Sequence, residues 1–176
     1  VFKELEIEDF RILNIIEAGM SKHEFVPKEQ IQKHSKLPMD RIDFTLGKLS
    51  KLGLTYRTNE TYNGHTLNYT GYDCLAINAL VKAGVIESFG KTLGVGKEAD
   101  VYDALSSTGK RIAVKFHRLG RISLRQTRRK RAYSREHSSW LCLSHIAAEK
   151  EFEAMKLVYE KGVAVPEPIS HNRHVV

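Results

Sequence analysis

Phe89-Gly90-Lys91-Thr92-Leu93-Gly94-Val95-Gly96-Lys97-Glu98-Ala99-Asp100-Val101-Tyr102 reads as strand, glycine-rich turn, strand. Glycines at 94 and 96 let backbone N–H groups approach an anion closely, and Val101 comes at the spacing of a loop that covers phosphates. Two familiar alternatives fail. A Walker A loop needs Gly, four residues and then Gly-Lys-Ser/Thr. Counting back from Gly90-Lys91-Thr92 finds Val85, and Gly96-Lys97 runs into Glu98. A dinucleotide fingerprint, with Ala99 at its third position, needs a helix to begin there. The chain instead continues with Val101-Tyr102-Asp103-Ala104-Leu105, a turn at Ser107-Thr108-Gly109-Lys110, and the alternating run Arg111-Ile112-Ala113-Val114-Lys115-Phe116-His117.

That alternation predicts a strand with Ala113 and Lys115 on one face and Ile112, Val114 and Phe116 on the other. A strand lysine is most often simply solvated. This one lies 14 residues beyond Val101 and comes directly after Ala-Val. In protein kinases that arrangement has the loop cover the nucleotide while the lysine reaches its α- and β-phosphates. Such a lysine needs a carboxylate to hold it, and a helix expected over Ser144 to Glu160 offers Glu149, Glu151 and Glu153. Glu149 and Glu153 share a face and Glu151 does not, and because helix glutamates mostly face solvent, at most one of the three is expected to be functional.

Upstream, Phe10, Leu13 and Ile16, with Ile12 and Ile15, repeat at helical spacing behind Glu8 and Asp9. A second helix is expected to open at Pro27, and a third near Pro38 carries Ile42, Leu46 and Leu49 and stops at Gly53. Leu54 to Arg57 and Thr66 to Thr70 flank Asn63-Gly64, a dipeptide suited to a tight hairpin turn with positive φ angles. Three helices and a hairpin make a winged helix over residues 1–83, with a further helix from about Asp73 to Ala83. Those 83 residues hold 11 basic and 11 acidic side chains, which favours a protein-binding module over a reader of duplex DNA.

The composition, 41% hydrophobic and 28% charged over 176 residues, supports a packed core. The longest mostly apolar run, Cys74 to Val81, is far short of the roughly 20 residues that cross a bilayer. No charged leader with an apolar stretch behind it opens the chain, and Cys74 and Cys142 form no CxxC or disulfide framework. An intracellular, reducing setting is therefore expected. The formal charge of +7 is concentrated: residues 104–135 hold 11 Lys or Arg and no Asp or Glu. Its densest part, Arg125, Arg128, Arg129, Lys130 and Arg131, is the candidate nucleic-acid-binding segment. Ser123 and Ser134 flank it as common exposed serines, and His171 and His174 form an HxxH without further ligands at metal spacing.

Together, the loop from Gly94 to Tyr102, the strand Ala113-Val114-Lys115-Phe116-His117-Arg118-Leu119-Gly120-Arg121, Ser139-Trp140-Leu141, Ala147-Ala148-Glu149-Lys150-Glu151-Phe152 and Val165-Pro166-Glu167-Pro168-Ile169 resemble the RIO family of atypical serine/threonine kinases, in its winged-helix branch. The resemblance covers essentially the whole chain. It implies an α+β fold, a winged helix over 1–83 joined to a kinase-like small lobe over 84–176 made of an antiparallel sheet and one helix. It implies that Lys115 and Glu151 are the catalytic pair, and that Gly94, Gly96, Lys97, Glu98, Ala99, Val101 and Ala113 join Lys115 in binding ATP. The stretch from Gly120 to about Ser138 matches an insertion that the family carries. The chain opens on Val1 rather than Met and contains no H-R-D-like, H-G-D-like or D-F-G segment. It is expected to be the front of a longer kinase whose Mg2+ ligands lie beyond Val176. The family further implies a cytoplasmic protein, with possible nuclear shuttling, that acts in maturation of the small ribosomal subunit. Its expected partners are the pre-40S particle, its rRNA and ribosome assembly factors, with no membrane. The rival reading is a catalytically silent winged-helix adaptor for nucleic acid or protein that carries a kinase-like lobe.

Overall fold

A reciprocal pair starts the first helix, α1 (Ile7–Gly19): Asp9 Oδ2 accepts the Glu6 N–H at 2.8 Å while the Glu6 side chain accepts the Asp9 N–H. The computed structural model describes residues 1–60, 62–120 and 140–176, and their contacts gather into two units, Val1–Leu75 and Ala76–Val176. In the first unit α1 buries Phe10, Ile12, Leu13 and Ile16. Helices α2 (Lys28–Ser35) and α3 (Met39–Lys51) each come directly after a proline, Pro27 and Pro38, whose fixed φ and missing donor suit a helix start. The apolar stripe of α3, Ile42, Leu46 and Leu49, is buried as its spacing requires. At its end Gly53 adopts φ +70°, and the Leu54 N–H returns to the Leu49 carbonyl at 3.0 Å, a cap that an L side chain would strain.

Strands β1 (Val26–Pro27), β2 (Thr55–Thr58) and β3 (Gly64–Leu67) form an antiparallel sheet in the order β1-β3-β2. Three helices with this wing are a winged helix. The wing's turn differs from the expected one. Gly64 already pairs with Thr58, so Asn63-Gly64 is no two-residue turn. Gly64 has no positive φ; a Cβ there would come within 2.8 Å of Phe25 and Tyr62, so crowding is what demands glycine.

Helix α4 (Tyr69–Lys82) begins four residues earlier than expected, because Asn68 Oδ1 accepts the Gly71 N–H at 3.0 Å and caps it. α4 serves both units. Its residues through Leu75 belong with the first, and Ala76 and Leu80 enter the core of the second, with Ile86, Ala104, Val114, Phe116 and Val175. That second unit is an antiparallel sheet of β4 (Ser88–Val95), β5 (Ala99–Leu105) and β6 (Arg111–His117), in the order β4-β5-β6, together with α5 (Trp140–Glu160). α5 starts four residues before the expected Ser144. The last residues run along the free edge of β6. Lys115 and Val176 exchange both backbone hydrogen bonds, at 2.8 and 2.9 Å, and the His117 N–H donates to the His174 carbonyl. The architecture is α+β: a winged helix, then the sheet and helix of a kinase-type small lobe.

Candidate functional site

Because β5 and β6 are antiparallel, opposed residues share a face, and the register sets Val101 against Lys115 and Asp103 against Ala113. Val114 and Phe116 point the other way, into the core. Val101, Ala113 and Lys115 wall a cavity of roughly 430 Å3, completed by Glu151 and Met155 of α5 and by Val165 beyond it. Lys115 Nζ donates to both carboxylate oxygens of Glu151, at 2.7 Å to Oε1 and 2.6 Å to Oε2, the short lengths of charge-assisted bonds. Glu149 is exposed and Glu153 faces Lys156 at 3.4 Å, so of the three glutamates only Glu151 meets the strand lysine.

The loop residues lie elsewhere. Gly94, Gly96, Lys97 and Glu98 are exposed and do not line the cavity, while Ala99 opens β5 opposite His117. Neither Gly94 nor Gly96 uses a positive φ, and a Cβ at Gly94 would meet nothing. The glycine there keeps the space above the strand clear instead of permitting an unusual backbone. The foot of the loop is anchored: the Gly96 N–H donates to the Ala99 carbonyl at 2.8 Å and the Arg118 N–H to the Glu98 carbonyl at 2.6 Å.

Sequence reasoning assigned no role to the buried polar groups behind this loop. Arg118 Nε donates to Asp100 Oδ2 at 3.1 Å, its guanidinium lies 5.3 Å from the Phe116 ring centroid, and His174 Nε2 is 3.4 Å from its Nη1. His117 Nε2 lies 3.4 Å from Glu151 Oε2. The one signal the sequence carries for them is His-Arg closing an alternating apolar strand, where a solvated end would be the ordinary expectation. His171 stacks against Phe152 with ring centroids 4.9 Å apart, and His174 is fully buried. Among the described residues no three His, Cys, Asp or Glu side chains converge as a metal site. Arg125, Arg128, Arg129, Lys130 and Arg131, like Ser123 and Ser134, lie outside the described residues.

In the winged helix, two cations of α3 are paired within the unit, Lys48 with Asp9 at 2.6 Å and Arg41 with Glu8 at 2.7 Å, while Asp43 takes Lys28 at 2.8 Å. Cations already paired with carboxylates offer a phosphate backbone less attraction than free ones.

A winged helix joined to a kinase-type small lobe, with a strand lysine clamped by a helix glutamate, defines a class of kinase-like proteins. The family model described as "Rio2, N-terminal" matches residues 2–83 and the "RIO domain" model matches residues 100–176. The chain belongs to the RIO family, in its Rio2 branch. It is 40% identical over 174 residues to "Serine/threonine-protein kinase rio2" of Dictyostelium discoideum, across 98% of this chain and 33% of the relative. It is 42% identical over 175 residues to the Schizosaccharomyces pombe protein of that name, across 98% and 51%. Against "RIO-type serine/threonine-protein kinase Rio2" of Methanocaldococcus jannaschii it is 42% identical over 159 residues, across 89% and 57%. The chain thus spans between a third and somewhat over half of the length of these curated relatives. Among solved structures, the Rio2 kinase–ADP/Mg2+–phosphoaspartate complex from Chaetomium thermophilum matches with TM-score 0.85 and 40% identity, over 99% of this chain and 52% of that one.

Proposed function

We propose that the full-length protein is an atypical serine/threonine kinase or ATPase and that this chain supplies the ATP-binding half of its site. The observation that carries the reading is the Lys115–Glu151 pair, 2.6 to 2.7 Å apart on the wall of a largely apolar cavity. In it Lys115 neutralises the phosphates, Glu151 orients Lys115, Val101 and Ala113 give the base an apolar roof, and the loop from Gly94 to Glu98 covers the phosphates. Support comes from the relatives named serine/threonine-protein kinases and from the Chaetomium thermophilum Rio2 kinase, solved with ADP and Mg2+. ATP turnover by the full-length protein and its Lys115→Ala variant tests the reading, and undiminished turnover in the variant overturns it. Residues 1–176 alone, lacking any H-R-D-like or D-F-G segment, are expected not to hydrolyse ATP. Hydrolysis by that piece that requires Lys115 would show the active centre to be misread.

The family suggests the place of action: cytoplasmic maturation of the small ribosomal subunit on a pre-40S particle, in contact with its rRNA and assembly factors. The charge distribution supports an RNA partner, since attraction must come from residues 104–135. Changing Arg128, Arg129, Lys130 and Arg131 together to Ala is expected to weaken RNA binding with little regard to sequence. The slope of log affinity against log salt should flatten by roughly 0.7 to 0.9 for each lost phosphate contact. Unaltered affinity and slope would remove the assignment.

A further inference from the structure

The Lys115 ammonium gives two of its three donors to Glu151, one to each carboxylate oxygen. It cannot keep both and also serve phosphate oxygens on the cavity side with full strength. When it turns to a ligand, one oxygen of a part-buried carboxylate loses its hydrogen bond, and an ionised oxygen left so is costly. On the other side of Oε2 stands His117 Nε2, 3.4 Å away. That nitrogen is buried and has no hydrogen-bond partner, a rare condition for a ring nitrogen in a folded protein. The backbone of this residue is held on both sides: the His117 N–H bonds the His174 carbonyl at 2.9 Å, and the residue opposite on β5 is Ala99, whose methyl leaves room for the ring on that face. A movement of a few tenths of an ångström would bring Nε2 and Oε2 to ordinary hydrogen-bond length.

We propose that His117 is a positioning residue for Glu151, taking the Oε2 oxygen of that carboxylate when a nucleotide draws the Lys115 ammonium toward its phosphates. The proposal rests on the nucleotide reading of the cavity given above. His117 thus keeps Glu151 in the position that returns Lys115 to its place after release, and the pair works as a triad in which one acceptor is handed between two donors. Four charged or titratable groups face the imidazole: Glu151 from α5, Lys115 from its own strand, His174 from the final segment and Glu98 from the loop. Burial holds the imidazole below its ordinary range, Glu151 opposes that, and Lys115 and His174 add to it. A nucleotide that draws Lys115 aside and brings phosphate charge near removes part of the opposing field. Its binding therefore raises the basicity of His117, and by linkage affinity gains as pH falls through that titration.

The test uses the full-length protein with Mg·ADP as the probe. NMR titration of the His117 ring is expected to show its midpoint move up when Mg·ADP is added. His117→Leu should weaken Mg·ADP binding about tenfold, the size of one hydrogen bond to a charged group, and His117→Gln, which keeps an N–H donor at similar reach, should recover it to within about threefold. An unmoved His117 midpoint, or a folded His117→Leu protein with full affinity, overturns the proposal. If His117→Leu fails to fold, the wild-type titration and the His117→Gln affinity decide the matter. Lys115→Ala in the same assay separates the two readings. Full affinity there overturns the nucleotide site itself, whereas lost affinity there with an unmoved His117 midpoint overturns only the handover.

Discussion

Each unit of the molecule contains a lysine 2.6 Å from a carboxylate, Lys48 with Asp9 in the first and Lys115 with Glu151 in the second. Length alone does not tell them apart. Asp9 is 4% exposed, and the oxygen that holds Lys48 also accepts the Glu6 N–H that starts α1. The hydrogen bond that Lys48 donates to Asp9 raises the Lys48 pKa, and the pair pins α3 to α1. Glu151 and Lys115 are each about a third exposed, open onto a cavity, and have a buried imidazole beside them. One pair is tied into the start of a helix and the other opens onto a cavity. What separates the two ion pairs is what their surroundings leave in front of them.

The comparison breaks or stands most clearly on exchanging the two losses. Lys115→Ala in the full-length protein is expected to lower turnover on the order of 100-fold, the cost of removing one preorganised charge, with little change in melting temperature because the pair is partly solvated. Lys48→Ala should do the reverse, leaving turnover within about twofold while destabilising the protein by about 1–2 kcal/mol, since Asp9 stays buried with a partner missing. Urea denaturation beside an ATP turnover assay reads both, and a turnover loss in Lys48→Ala as large as that in Lys115→Ala would erase the distinction. A smaller effect sharpens the choice of glutamate: Glu151→Ala should cost about tenfold in turnover, and Glu149→Ala and Glu153→Ala less than about twofold. Harm from Glu153→Ala with none from Glu151→Ala would move the site by a helical half-turn.

The smallest effect contrasts two buried histidines. His65 in the wing, like His117, has a buried ring nitrogen without a hydrogen-bond partner, but among the described residues it has no carboxylate at ion-pair distance. Burial, with Arg57 and Lys28 nearby, lowers its pKa from 6.5 to about 4. The unfolded chain therefore binds the proton more readily than the folded one between those values. Stability from this group is full above pH 6.5 and falls as pH drops toward 4, by about 1 kcal/mol at pH 5.5. Denaturation of wild type and His65→Gln at pH 7.5 and 5.5 checks it. A variant with the same pH dependence as wild type would show that His65 does not titrate in this way.

The strand carrying Lys115 and the glutamate it meets were both legible in the sequence. A period of two sorts Val114 and Phe116 from Lys115 without any long-range information, whereas helix register only sets Glu151 apart from Glu149 and Glu153, and the choice of Glu151 comes from the family resemblance. The winged helix was legible for the same reason, through the stripe of α3 and the Gly53 stop. What escaped depended on partners distant in sequence or on side-chain bonds too local for periodicity. The start of α4 is set by the Asn68 side chain. The glycine at 64 answers to Phe25, which no dipeptide rule can see. Arg118 meets His174 across 56 residues, and nothing in either segment announces the other.

The pairing of the final residues along β6 covers one margin of the small-lobe sheet and leaves β4 as the other. All eight residues of β4 are exposed, Phe89, Leu93 and Val95 among them, so a straight strand of this composition would offer another chain a template for growth. β4 is not straight. Its register against β5 slips twice, between Phe89 and Thr92 and again between Thr92 and Gly94. Bulges twist an edge and interrupt its row of donors and acceptors, and Lys91 puts a charge in the middle. The irregular strand that leads into the glycine-rich loop is therefore also a guard against aggregation, and regularising it would exchange solubility for order.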